Sequence, residues 1–172
     1  RGLTMDRVFM LRGDPKDKVD DLLSILQENG GGISTVFAHH TEKDMNYVLQ
    51  KPWCSIGSDG SAYAIEGPLR VGNPHPRNFG TFPRVLGKYV RQQKLLSLED
   101  AIRKMTSLNA NKVGLLDRGL IKIGFAADLA IFNAETVIDQ STYTAPFAYP
   151  SGIRYVIVNG QLTIKNGEHT GV

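Results

Sequence analysis

Trp53-Cys54-Ser55-Ile56-Gly57-Ser58-Asp59-Gly60 is the stretch from which the fold is read. Cys54, Ser55 and Ile56 read as a short buried strand. Gly57, Ser58 and Gly60 break it and leave Asp59 where the strand stops. In barrels of alternating strands and helices, chemistry collects at the C-terminal ends of the strands. A carboxylate there can take a proton from water or bind a metal. The same residues also fit a plain turn, since Asp beside Gly is common turn chemistry. The flanking sequence has to decide.

Upstream, the pattern alternates. Residues 4–11 predict a short amphipathic helix ended by Gly13, and Asp14-Pro15 predict the start of another. Val19, Leu22, Leu23 and Leu26 recur at helical spacing to about Glu28, where Asn29-Gly30-Gly31-Gly32 stops the helix. That glycine run follows a helix and lacks dinucleotide-fingerprint spacing. Residues 33–38 are β-branched and predict a strand that delivers His39 and His40 to its end. Adjacent residues on a strand point to opposite faces, so the two histidines do not readily share one metal. Thr41 with Asp44 reads as a capping box for a helix that closes before Pro52. Helix, strand, helix, strand suggests βα units on a parallel sheet or barrel.

Downstream, residues 60–78 carry repeated Gly and Pro and almost no periodicity. Loops of this length are uncommon and are usually functional or disordered. This one ends in Asn73-Pro74-His75-Pro76-Arg77. Prolines on both sides of His75 stiffen the approach to Arg77. An Arg so held makes a two-point clamp for a carboxylate, although a surface Arg on a Pro-rich turn would look the same. Phe82, Val85, Leu86, Tyr89 and Val90 predict a helix. Ser97 with Asp100 caps a second, and Ser107 opens a third that ends near Gly114. The tail is β-rich: 120–123, 128–132 and 153–158 predict strands, the last joined by Asn159-Gly160 to 162–164 in a hairpin.

The 172 residues are 41% hydrophobic and 22% charged, the composition of a globular protein with a real core. The net charge of +3 is scattered, which argues against nucleic acid as a partner. A single cysteine precludes an internal disulfide and fits a reducing, cytoplasmic setting. No apolar run is long enough to span a membrane. Arg1-Gly2-Leu3, with no starting Met, reads like the interior of a longer chain.

Four stretches carry a family resemblance: W-C-S-I-G-S-D-G at 53–60, H-P-R-N-F-G-T-F-P-R-V-L-G at 75–87, L-S-L-E-D-A-I-R-K-M-T-S-L at 96–108 and D-R-G-L-I-K-I-G-F-A-A-D-L-A-I-F at 117–132. Y-V-I-V-N-G-Q-L at 155–162 and N-G-E-H-T-G at 166–171 extend it. The chain resembles the C-terminal third of an N-acyl-D-amino-acid deacylase (D-aminoacylase) of the amidohydrolase superfamily. A-D-L-A-I-F and V-N-G are typical of the superfamily, whereas the H-P-R run after G-S-D-G is more specific to the deacylases.

The resemblance implies an α/β fold: residues 1–114 as the last strands and helices of a (β/α)8 barrel with an active-site loop at 60–78, and residues 115–172 as the C-terminal part of a small β-sandwich. Segment 33–38 would be barrel strand seven and 54–57 strand eight. It implies metal-dependent hydrolysis of the amide bond of N-acyl-D-amino acids, with zinc as cofactor. Asp59 matches the aspartate beside the metal that takes a proton from the attacking water and passes it to the leaving amine. Zinc lowers the pKa of bound water to about 7, and a nearby carboxylate can accept that proton. Arg77 matches the arginine for the substrate carboxylate, and His75 and His40 complete the substrate-binding set. His40 stands where the family more often has Met. The family's principal metal ligands precede Arg1, and Cys54 reads as a small buried hydrophobe rather than a ligand. The missing two-thirds of the barrel is therefore an expected partner, and bare sheet edges favour self-association of the chain alone. Two other readings remain: a dipeptidase or cyclic-amide hydrolase of the same superfamily, and a non-catalytic remnant.

Overall fold

The computed structural model describes residues 2–33, 35–37 and 40–172. The chain divides into two compact units, residues 1–41 and 42–172.

The first unit holds α1 (Met5–Leu11) and α2 (Lys18–Glu28). Thr4 caps α1 by accepting from the Arg7 N–H at 3.3 Å. The start expected at Asp14 moves to Asp17, whose carboxylate accepts from the N–H groups of Val19 at 2.9 Å and Asp20 at 3.1 Å. Asp14 has a φ of 50°, incompatible with the extended backbone of an N-cap. Arg12 ties the helices together, donating to Asp21 at 2.9 Å and to both carboxylate oxygens of Glu28 at 2.9 Å. That two-point bond holds the Glu28 carboxyl below its ordinary pKa. No strand forms among the described residues of 33–38. His39 and its place at a strand end lie outside the described residues.

The second unit opens with α3 (Glu42–Leu49). The strand expected at 53–57 is not assigned, because side chains from the helices beyond take its backbone acceptors. Beyond it lie α4 (Arg77–Arg84), a π-helix (Val85–Gln92), α5 (Leu98–Met105) and α6 (Ser107–Lys112), and the donors come from α5 and α6. Arg103 donates to the Pro52 carbonyl at 2.8 Å and Lys112 to Trp53 at 2.7 Å. Lys104 donates to Lys51 and Cys54, and Asn109 to Ile56 at 2.7 Å. The Ile56 N–H returns a bond to the Lys104 carbonyl at 3.1 Å. Side chains thus satisfy the segment in place of a neighbouring strand. Cys54 is a half-buried free thiol.

The helix expected around Phe82–Val90 begins earlier, at Arg77, and changes character midway. Pro83 lies inside α4 and has no N–H to give the helix. The π-helix follows at once, with the Gln93 N–H reaching back five residues to the Lys88 carbonyl at 2.8 Å. Leu49, Ile56, Val85, Tyr89, Leu96 and Ala101 form one buried cluster, so this helical run and the 53–57 segment share a core. Ser97 caps α5 as expected, accepting from the Asp100 N–H at 3.1 Å. The cap of α6 falls on Thr106 rather than Ser107, which is the first helical residue.

The tail is a four-stranded antiparallel meander of β1 (Leu129–Phe132), β2 (Ile153–Val158), β3 (Gln161–Lys165) and β4 (Glu168–His169), in that order. Leu129 pairs with Ile157, and Val158 with Gln161 across the Asn159-Gly160 turn. Both turn residues have positive φ, 50° and 79°, as the expected tight hairpin requires. Residues 120–123 form no strand; Ile121 and Ile123 are 91% and 101% exposed. Arg91 joins the helical and β parts by donating to the Ala134 and Val137 carbonyls at 2.9 and 2.7 Å.

Candidate active site

Asp59 sits past the clamped 51–56 segment, at a φ of 48°. Few L-residues adopt that backbone, and Asp is among those that tolerate it. The turn is closed by the Gly60 N–H donating to Ser58 Oγ at 3.2 Å. The Asp59 side chain is 85% exposed, and its Oδ2 forms an ion pair with the Arg77 guanidinium, 2.9 Å from Nη2. The two residues singled out on opposite sides of the long loop therefore meet.

Arg77 is the first residue of α4. Its N–H donates to His75 Nδ1 at 3.0 Å, which leaves the proton of a neutral imidazole on Nε2. His75 also packs edge-on against Tyr143, with ring centroids 5.0 Å apart. Burial, helped by the Arg77 charge, holds His75 below its ordinary pKa, favouring the neutral form that this bond needs. The stiff His75-Pro76-Arg77 approach is realised as a turn that starts a helix.

Arg77 and His75 line a cleft of about 600 Å³. One wall is the 55–57 segment, a second is α4 with the π-helix, and a third is residues 139–143. The cleft is built from the second unit alone. His40 belongs to the first unit and is exposed. The sequence reading missed two charged pairs at this cleft, of which Glu42, Arg84 and Asp139 line it. Arg84 donates to Asp139 at 2.6 Å, and Lys88 pairs with Glu42 at 2.6 Å. The Lys88 bond lowers the Glu42 pKa and raises that of Lys88. Beside them, burial raises the pKa of Tyr89. Arg84 carries a legible signal, lying seven residues, about two turns, after Arg77 and so on the same helix face. Asp139 carries none, because only the tertiary fold brings it to α4.

Among the described residues no group of three or more His, Cys, Asp or Glu could hold a metal ion. Asp59 is engaged with a guanidinium instead. The described residues alone do not make a metal centre. Chemically the site offers a solvent-accessible carboxylate base, a guanidinium fork beside it and a partly apolar cleft.

A family model described as the amidohydrolase family matches residues 54–164. The chain belongs to the amidohydrolase family. It is 44% identical over 119 residues to the N-acyl-D-glutamate deacylase of Alcaligenes xylosoxydans xylosoxydans, covering 69% of this chain and 23% of that protein. Among solved structures it superposes on a D-aminoacylase described as having a binuclear metal centre, with a TM-score of 0.79, 35% identity, and coverage of 99% of this chain and 33% of that one. It also matches the N-acyl-D-glutamate deacylase of Bordetella bronchiseptica, solved with zinc and a phosphonate that mimics the tetrahedral intermediate. There the TM-score is 0.65 at 36% identity, over 75% of this chain and 27% of the other. The amidohydrolase chain thus spans no more than a third of these relatives. The deacylase resemblance carried by the H-P-R run is borne out.

Proposed function

We propose that the protein carrying this chain hydrolyses the amide bond of N-acyl-D-amino acids. The observation that carries the reading is the convergence of Asp59 and Arg77 at 2.9 Å beside a cleft, in a chain similar to deacylases of D-amino acids. Such a substrate presents a carboxylate one carbon from its scissile amide. Arg77 binds that carboxylate through its planar fork, and the amide is then brought near Asp59. Water adds to the acyl carbon and gives its proton to the Asp59 carboxylate. The C–N bond breaks, and Asp59 returns the proton to the departing nitrogen. The products are a carboxylic acid and a free D-amino acid. His75 fixes the backbone of Arg77, and His40 is a candidate contact for the substrate side chain.

Zinc is the proposed cofactor of the whole protein, on the strength of the metal-containing relatives. Its ligands would come chiefly from residues other than those described. In the same proposal, residues 1–114 belong to a (β/α)8 barrel and 115–172 to an accompanying β-rich domain. The lone free cysteine fits a cytoplasmic setting. No helix of the described residues is long and apolar enough to cross a membrane.

The test is an amine-release assay of the full-length protein on N-acetyl-D-glutamate, N-acetyl-D-methionine and their L-enantiomers. Hydrolysis confined to the D-series is expected. Cleavage of dipeptides or cyclic amides with none of N-acyl-D-amino acids would overturn the reading.

A further inference from the structure

We propose that Asn78 is a positioning residue that sets the separation of the Asp59 carboxylate and the Arg77 guanidinium. Its kinetic consequences rest on the deacylase reading; its geometry does not.

Asp59 and Arg77 are eighteen positions apart, across an irregular loop. Nothing in the local backbone of either residue fixes their distance. The Asn78 side chain does. Its Oδ1 accepts from the Ser61 N–H at 2.6 Å, two residues beyond Asp59. Its Nδ2 donates to the His75 carbonyl at 2.8 Å, two residues before Arg77. One planar amide therefore joins the backbone that carries the carboxylate to the backbone that carries the guanidinium. The Asn78 N–H adds a second bond to the same His75 carbonyl at 3.1 Å. The orientation of the amide is determined by chemistry, since an N–H must face an oxygen and a carbonyl must face the NH2 group. A carboxylate at 78 would meet the His75 carbonyl with no donor, and an aliphatic side chain would meet both with nothing.

The loop is also pressed close. A Cβ on Gly60 would lie 3.2 Å from both Asn78 Cα and Asn78 Oδ1 and 3.3 Å from Ser58 Oγ. The absence of a side chain at 60 lets the Asp59 loop come within bonding reach of Asn78. Gly60, Ser61 and Asn78 thus work as one junction, and the H-P-R-N run reads as clamp plus spacer.

The experiment uses the full-length protein with Asn78→Leu, and with the smaller Asn78→Ala should Leu not be accommodated. Hydrogen exchange at the Ser61 amide is read by mass spectrometry at residue resolution, beside steady-state kinetics and thermal melts. Ser61 is exposed, so this bond is its protection, and its loss speeds exchange by about tenfold. In an active deacylase, kcat falls and KM rises together, because both the base and the clamp lose their register. A merely structural role would lower Tm and leave the kinetics of the folded enzyme unchanged. Unchanged exchange at Ser61 overturns the bridge whether or not the protein is a deacylase. Faster exchange with unchanged kcat and KM in an active deacylase overturns the positioning role.

Discussion

The Arg77 guanidinium stands 2.9 Å from the Asp59 carboxylate, and both groups face water. Exposed ion pairs are screened and weak, so this one is easily exchanged for another. A carboxylate arriving on a substrate can take the fork from Asp59 at little cost. In the proposed function, Asp59 would then stand as the base beside the bound substrate. That same pair is the one a substrate would divide.

Arg77→Lys tests the clamp. Lysine keeps the charge but supplies a point donor in place of a planar fork. KM for N-acyl-D-amino acids should rise about tenfold in the full-length protein, the order of one charge-assisted hydrogen bond. Substrates with an amidated carboxylate should be affected much less. Steady-state kinetics on matched acid and amide substrates checks this, and equal loss on both would leave Arg77 a loop support only.

His75 predicts a pH dependence of stability. Its pKa is held below the ordinary value by burial and by Arg77. Between the folded and unfolded values, the unfolded chain binds more protons, so stability falls as pH drops through that window. The contribution is fully present above the unfolded value of about 6.5 and is lost as pH falls through the folded one. Protonation also removes the Nδ1 lone pair that accepts from the Arg77 N–H. His75→Asn keeps an acceptor near that place and removes the titration. Urea midpoints of the full-length protein from pH 5 to 8 should decline less steeply at the acid end for the variant. Parallel curves would show that His75 does not contribute.

Lys104 is 0% exposed and lies on α5. It donates to the carbonyls of Lys51 and Cys54 and lies 3.8 Å from Asp100. Lys104→Met keeps much of the volume and removes every donor. The expected loss is about 1.5–3 kcal/mol, the order for hydrogen bonds to a charged group. Chemical unfolding of the full-length variant measures it. A neutral result would mean that water replaces the ammonium on those carbonyls.

What could be read in the sequence was what the sequence encodes locally. The Ser97 cap needs only Asp100 three residues on, and the Asn159-Gly160 hairpin needs only two residues able to take positive φ. Both were legible. Asp14 and Asp17 are the same residue type near one helix start, and only the backbone at 14 decides between them. The apolar residues of 53–57 by themselves predict a strand. Its carbonyls are instead claimed by Lys104, Asn109 and Lys112, some fifty positions away, and no local pattern carries that. In the same way, Asp59 and Arg77 could each be picked out, but not their contact. Nor could the cleft pairs Arg84–Asp139 and Lys88–Glu42, because the fold alone brings those partners together.

Asp59→Asn is the most direct test of the site. Asparagine keeps the shape and a hydrogen-bonding group at the turn, and it is as tolerant as Asp of the positive φ found there. The fold should therefore survive, and a melt of the full-length variant should lie close to that of the parent. What is lost is the base. The attacking water then has no carboxylate to receive its proton, and the leaving nitrogen has no acid to take it from. General acid–base groups contribute about 10²–10⁴-fold, so kcat should fall by that order. KM should change far less, because Arg77 remains to bind the substrate carboxylate and the lost interaction belongs to the transition state. The ion pair of Arg77 with residue 59 is also removed, which frees the guanidinium and favours a KM that is unchanged or slightly lower. Measuring kcat, KM and the melt together separates these effects. A variant with near-parental kcat would show that the proton goes elsewhere and that Asp59 serves only to hold Arg77.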